Sequence, residues 1–348
     1  MPAVETPNQN GNSSVAICTS VGFQPLDVND YIECASKLQA DITVGIADII
    51  AAKQISQKRL EKSVDRTHAW TRDTLAARED SEAGMMFATI PPIEMQQQSF
   101  YLGDLTDEYK AEVSGISLYS PETAASLPKA LSNLPRLCIH NLSNPQDILR
   151  AISLGNDLIT VSFVTATSEA GIAMSFALNV PEDAHNLPLG IDQWDKTHAT
   201  DLSPLVRDCH CYTCTKHHRA YIHHLLSAKE MLAWTLLQIH NLHMMESFFE
   251  AARQSIADGT FEEKAKAFGR AYQTEMPAAT GEGPRIRGYQ MKSVGGGEPR
   301  KNQKKYGRLE EQARKLEEAE SGIATPEEGI QARDLEHMGM GEAQDTSQ

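Results

Sequence analysis

Three thiols stand close together in Cys209-x-Cys211-x-x-Cys214, and a run rich in histidine follows them, with His217, His218, His223, His224, His240 and His243. Thiolates gathered on one tight loop are soft ligands, and a single zinc ion bound at about 2.3 Å from each sulfur can hold them together. A fourth ligand must then come from elsewhere in the chain. The first four histidines lie so near the loop that chain stiffness turns them away from the ion. His240 has the stronger claim, because it recurs with Leu232, Leu236 and Met244 at four-residue spacing along one helix stripe. An imidazole on a buried apolar stripe needs a polar partner. The expected set is Cys209, Cys211, Cys214 and His240, one structural zinc per chain. Four protein ligands leave no open position to activate water, so the metal by itself does not signal an enzyme.

The elements that must carry these ligands are legible from pattern. Ser227-Ala228-Lys229-Glu230 reads as a capping box opening the long helix that bears His240, and Asp258-Gly259 reads as its stop. Before residue 204 the pattern differs. Short β-rich runs (SVAICTS, ADITVGI, GMMFATI, AEVSGISLY, PRLCIHN, DLITVSF and IAMSFAL) alternate with helical stretches. That alternation predicts βα units around a parallel sheet, either a (β/α) barrel or a doubly wound sheet. Asp27 ahead of VNDYIECASKL and Asn144-Pro145 ahead of QDILRAIS are helix starts. No Gly-x-Gly-x-x-Gly follows a strand, which disfavours dinucleotide binding.

The 348 residues can bury a large core without staples, and the scattered Cys18, Cys34 and Cys138 do not form a disulfide framework. A soluble, cytoplasmic protein is expected. The formal charge of -15 argues against unaided nucleic-acid binding, which needs clustered cations. Local basic runs at residues 53–62 and 299–305 are read as solvated surface. The expected organisation is a disordered segment at 1–14, a (β/α) barrel portion at 15–203, a zinc-binding helical subdomain at 204–275 and a low-complexity, disordered tail at 276–348. Within that tail, residues 307–320 are expected to form a solvated helix.

The segment CHCYTCTKHHRAYIHHLLSAKEMLAWTLLQIHNL resembles the zinc segment of the tRNA-guanine (queuine) transglycosylases. The similarity extends through PQDILRAISLGNDLI, DVNDYIECASKLQADITVGI and LEKSVDR, roughly residues 23–258. The resemblance implies a TIM-type (β/α)8 barrel with a helical zinc subdomain and exchange of guanine for queuine at the tRNA wobble position. Only about twenty residues precede SVGFQPLDVNDY, so the barrel is expected to lack its first strands. That points to a shortened gene product or to a partner over the open edge.

The resemblance also marks what has changed. Thr160 stands where the family has its nucleophilic aspartate, Ala47 where a base-reading acid belongs, and Phe87-Ala88-Thr89-Ile90-Pro91-Pro92 where a glutamine-containing Gly-Gly segment belongs. Ser114-Gly115-Ile116-Ser117 replaces a glycine pair. Val164-Thr165-Ala166, with Glu169 beyond it, replaces the tRNA-contacting Pro-Thr-Arg loop. A hydroxyl without a base makes a poor nucleophile at neutral pH. The resemblance thus implies a non-catalytic subunit, with no catalytic residues of its own, that joins a catalytic homologue in a heterodimer. Through that complex it would contact tRNAs with GUN anticodons (Asp, Asn, His, Tyr).

The family further implies peripheral association with the mitochondrial outer membrane. The interface is expected near the zinc subdomain, using Tyr221, Trp234, Phe248 and Phe249. Two alternatives are an active transglycosylase using Asp157, expected at the buried start of its strand, or Asp48, expected to face the helices, and a zinc scaffold without a tRNA role.

Overall fold

A computed structural model of the chain describes residues 10–19, 22–50, 55–78, 84–181 and 183–284. The expected tail helix at 307–320, the basic run at 299–305 and most of segment 1–14 lie outside the described residues.

Five parallel strands carry the fold. They are β3 (Ile42–Val44), β4 (Met85–Ile90), β5 (Gly115–Leu118), β6 (Arg136–Cys138) and β7 (Leu158–Ile159), and they pair in chain order as a curled half-barrel. The strands that precede them, β1 (Ser14–Thr19) and β2 (Gly22–Asp27), form an antiparallel hairpin. Asp27 then caps α1 (Val28–Leu38) by accepting from the Asn29 amide at 2.9 Å. SVAICTS therefore does not open a βα unit, because GFQPLD turns straight back along it. Pro25, opposite Ala16, hid that second arm, since proline tells against a strand unless the strand lies at an edge.

Helices separate the parallel strands as the alternation required, except between β5 and β6, which short 3-10 turns at Pro121–Ser126 and Lys129–Leu131 connect. α2 (Gln57–Ala76) lies between β3 and β4, and α3 (Ser99–Asp107) between β4 and β5. α4 (Pro145–Ser153) lies between β6 and β7. It starts where Asn144 accepts from the Asp147 amide, with Pro145 in its first turn, and the chain leaves it through Gly155 at φ 90°. Met86, Ala88, Ile90, Ile116 and Leu118 pack against Tyr101, Leu102 and Leu105 of α3 and Val64 and Leu75 of α2. Every residue of β5 and all but the first of β4 are buried. Strands covered on both faces read as unbroken apolar runs, which is why MMFATI and GISL lack alternation.

After α5 (Phe163–Glu169) the chain forms β8 (Ile172–Met174) and β9 (Gly190–Asp192), an antiparallel pair separate from the parallel sheet. IAMSFAL is thus a strand, but not one of the parallel set. Four helices follow: α6 (Tyr212–Lys216), α7 (Arg219–Ser227), α8 (Met231–Ala257) and α9 (Phe261–Ala271). Ser227 is the last residue of α7 and donates to the His223 carbonyl at 2.9 Å, so it cannot cap α8. The chain instead turns through left-handed Lys229 (φ 57°), and Glu230 occupies the cap position without a side-chain bond. A Ser-x-x-Glu pattern carries no information about a helix ending on its serine. The expected stop of α8 is where it should be, with Gly259 at φ 71° following Asp258.

The helices close on two cores. Phe248 of α8 meets Phe176 edge-on at 5.4 Å and Phe268 of α9 at 5.6 Å. A second cluster joins Ala173, Leu205, Ile222, Leu226, Ala233 and Leu237, with Trp194, Cys214 and Tyr221 against it. None of the described helices is long and apolar enough to cross a membrane.

Candidate metal centre

The three cysteines and His240 converge. Their ligand atoms all lie within 4.8 Å of one another, so the group can hold a metal ion. His240 Nδ1 is 3.7 Å from Cys209 Sγ, 3.5 Å from Cys211 Sγ and 3.4 Å from Cys214 Sγ. A tetrahedral ion with metal–sulfur bonds of about 2.3 Å and a metal–nitrogen bond of about 2.0–2.1 Å sets sulfur and nitrogen roughly 3.6 Å apart. The observed distances straddle that value.

Local structure explains how the loop reaches this arrangement. Asp208, at φ 63°, turns the backbone just before Cys209. Cys211 stands at the N-cap of α6, and its sulfur accepts from the Cys214 amide at 3.3 Å. Thr213, fully buried, donates to the Leu236 carbonyl at 2.7 Å, pinning α6 to α8 one turn before His240.

The far side of the imidazole decides its tautomer. His240 Nε2–H donates to the Met174 carbonyl at 2.9 Å, which leaves the Nδ1 lone pair facing the sulfurs. Protons alone would settle the cluster differently. Burial favours a neutral His240, but hydrogen bonds to Cys209, Cys211 and Cys214 outweigh it and raise the ring to about 11. At Cys211 burial is likewise outweighed, by hydrogen bonds from His240 and the Cys214 amide, and the thiol falls to about 6. Burial dominates at Cys209 and pushes that thiol up. A cation binds in competition with these protons, on bare thiolates and a neutral imidazole.

One partner of this site carries no periodic signal and is not among the expected residues. Asn241 is fully buried beside His240. Its Oδ1 accepts from the Met174 amide at 2.8 Å, and its Nδ2 donates to the Ile172 carbonyl at 3.0 Å and to Ser168 Oγ at 2.9 Å. The bonds Gln193 N to Gly171 O and Ser175 N to Leu189 O set the phase of the β8–β9 ladder, so Ile172 and Met174 turn their backbone groups away from β9. His240 and Asn241, consecutive on α8, therefore satisfy the free edge of β8. The one sequence trace of this is a polar pair, His-Asn, inside a buried apolar stretch.

The other histidines are engaged elsewhere. His217 stacks on Tyr221 with centroids 5.0 Å apart, His218 Nδ1 accepts from the Tyr221 amide at 3.1 Å, and His223 Nδ1 meets the Gln193 carbonyl at 3.0 Å. Neither His224 nor His243 joins the cluster.

At the C-terminal ends of the parallel strands, where barrels of this type place their chemistry, the substituted positions gather. Thr160 directly follows β7, and both its amide and its hydroxyl donate to the Cys138 carbonyl, at 3.0 and 3.2 Å. Ala47, half-buried, lies beyond β3, and Pro91, buried, directly follows β4. Pro91 and Ile93 accept from Gln98 Nε2 at 3.3 and 2.7 Å. Val164, Thr165 and Ala166 sit inside α5 and form no loop.

Asp48 does face the helices, and it is wholly buried. Arg59 grips its carboxylate at 2.7 and 2.6 Å, Arg66 approaches at 3.1 Å, and Asn10 Nδ2 donates at 2.6 Å. Burial pushes this carboxyl up, but the bonds from Arg59, Asn10 and Arg66 prevail and hold it below the usual range. Asp157 is exposed, contrary to the expected buried strand start, because its Oδ2 reaches out to accept from the Arg136 amide at 2.9 Å. The expected aromatic surface is also corrected. Trp234 and Phe248 are core residues, the indole donating to the Glu169 carbonyl at 3.1 Å, while Tyr221 and Phe249 are half-buried.

The queuine tRNA-ribosyltransferase family model matches residues 1–274, and the chain belongs to that family. Among its relatives, a protein of Schizosaccharomyces pombe (strain 972 / ATCC 24843) is 35% identical over 292 residues, covering 81% of this chain and 65% of the relative. Similar proteins of Drosophila pseudoobscura pseudoobscura and Anopheles gambiae are each 29% identical, over 74% and 72% of this chain and 65% and 62% of their own lengths. All three are called queuine tRNA-ribosyltransferase accessory subunit 2. The chain therefore spans a little under two thirds of the length of these relatives.

Proposed function

We propose that the chain is a non-catalytic subunit of a queuine tRNA-ribosyltransferase. It pairs with a catalytic homologue that exchanges guanine for queuine at the wobble position of tRNA, and it carries one structural zinc. The observation that carries this reading is the state of the strand ends. The Thr160 hydroxyl is bonded to its neighbouring strand, and Ala47 and Pro91 have no group that can pair with a purine edge. Nearby Asp48 is committed to two guanidiniums. A covalent ribosyl intermediate needs a free carboxylate positioned on the sugar, and these residues supply none.

Zinc is supported by the donor set. Three thiolates and one imidazole in tetrahedral spacing suit a borderline-soft ion with no geometric demand of its own. The residues that would hold it are Cys209, Cys211, Cys214 and His240, and the ion would lock the loop before α6 onto α8, leaving no position for substrate. The partner's docking face is placed on the outer side of α8, where Leu232, Ile239, Leu242 and Ile256 are 45%, 39%, 53% and 52% exposed.

The test is incorporation of labelled guanine or queuine into tRNA by the purified chain, by the catalytic homologue, and by both together, with co-migration measured in parallel. This reading requires activity only when the catalytic homologue is present. Incorporation by the chain alone would instead favour an active transglycosylase. No co-migration and no effect on the homologue would leave a metal-stabilised scaffold.

A further inference from the structure

Trp194 lies beside the second helical core with its indole held between two glycines. Gly171, at φ 80°, closes the turn from α5 into β8, and a Cβ there would come within 2.2 Å of the indole nitrogen. Gly281, from the segment after α9, lies against the ring so closely that a Cβ would come within 2.2 Å of Cδ2 and Cε2. The indole N–H donates to the Ala170 carbonyl at 3.1 Å. The residues flanking Gly281 are also engaged. Thr280 Oγ1 donates to Asp192 Oδ2, and Glu282 Oε2 pairs with Lys229 Nζ at 2.6 Å.

We propose that residues 280–283 form a releasable strap. Trp194, Asp192 and Lys229 make a slot that reads Thr-Gly-Glu in cis, and the strap ties β9 to the turn between α7 and α8. Each partner has a distinct chemistry. The carboxylate of Asp192 accepts the threonine hydroxyl, the flat indole admits only a residue without a Cβ, and Lys229 selects an acid. Lys229, in the left-handed turn at φ 57° between α7 and α8, presents its ammonium to Glu282. Thr280 and Glu282 are themselves exposed, so the strap is held by surface bonds and one glycine contact and can open without unfolding the core.

Collisional quenching of tryptophan fluorescence in the full-length chain tests this, since Trp70 and Trp234 are buried and give a constant background. Gly281→Val should raise the quenching of Trp194, while circular dichroism and metal content stay as in the parent. Lys229→Glu should raise it in the same direction, and combining it with Glu282→Lys should restore the parental value. Quenching that is unchanged in both single variants, or a charge reversal that fails to restore it, overturns the proposal. If Gly281→Val does not fold, the charge pair decides alone.

Discussion

Replacing Asn241 with leucine keeps the side chain's approximate volume while deleting its three hydrogen bonds. Ser168 still has a partner, because its hydroxyl also donates to the Val164 carbonyl at 2.8 Å. The Met174 amide and the Ile172 carbonyl do not, since the β8–β9 ladder turns both away from β9. Two orphaned buried backbone groups cost about 1–3 kcal/mol each. Burial of the added apolar surface offsets roughly 1.5 kcal/mol. The net loss is then about 0.5–4.5 kcal/mol, or a fall of about 0.3–2.3 M in the urea midpoint at an m-value near 2 kcal/mol/M. Metal affinity should fall with it, because Met174 also carries the carbonyl that orients His240. Urea titration and metal analysis of the same preparations would check both effects. A midpoint no lower than that of the parent, with metal retained, would refute the role assigned to Asn241.

His240→Ala should reduce bound metal from one ion per chain to a trace after dialysis, measured by mass spectrometry of the metal; a full equivalent retained would show that another residue is the fourth ligand. Asp48→Asn should cost about 1–3 kcal/mol at neutral pH, because Arg59 and Arg66 lose their buried counter-charge while water, reaching both half-buried guanidiniums, screens part of the loss. The Asp48 carboxyl titrates lower in the fold than in the unfolded chain, so its contribution is present above about pH 4 and disappears as pH falls through the folded value. Thermal melts of parent and variant should therefore converge below about pH 4, and a gap that stayed constant would contradict the pairing. Thr160→Asp should leave the isolated chain without base exchange, because Ala47 and Pro91 still offer no contact to a purine; labelled guanine entering tRNA would show that the nucleophile alone was missing.

Much of this architecture could be read before any coordinate. The five parallel strands announced themselves as apolar runs, and the four residues that converge as a candidate metal site were legible from one-and-two cysteine spacing plus a histidine on an otherwise apolar stripe. What escaped had no periodic signature. β2 contains a proline that counts against a strand, and β9 is only three residues long. Ser227 matched a capping box because sequence pattern cannot tell the end of one helix from the start of the next. Leu232 fits the four-residue stripe with Leu236 and His240 yet is 45% exposed, whereas α6 is pinned one turn further along, where Thr213 bonds the Leu236 carbonyl and Leu236 is buried. Asn241 is fully buried for the sake of another segment's backbone, and nothing in its own neighbours in sequence records that.

The most direct test of the assignment is base exchange measured with equal amounts of the chain alone, the catalytic homologue alone, and the two mixed, using labelled guanine and a tRNA with a GUN anticodon. The expected result is no incorporation by the chain alone, co-migration of the mixed pair, and exchange by the pair above that of the homologue. Incorporation by the isolated chain, or a homologue whose activity and migration ignore the chain, would contradict it.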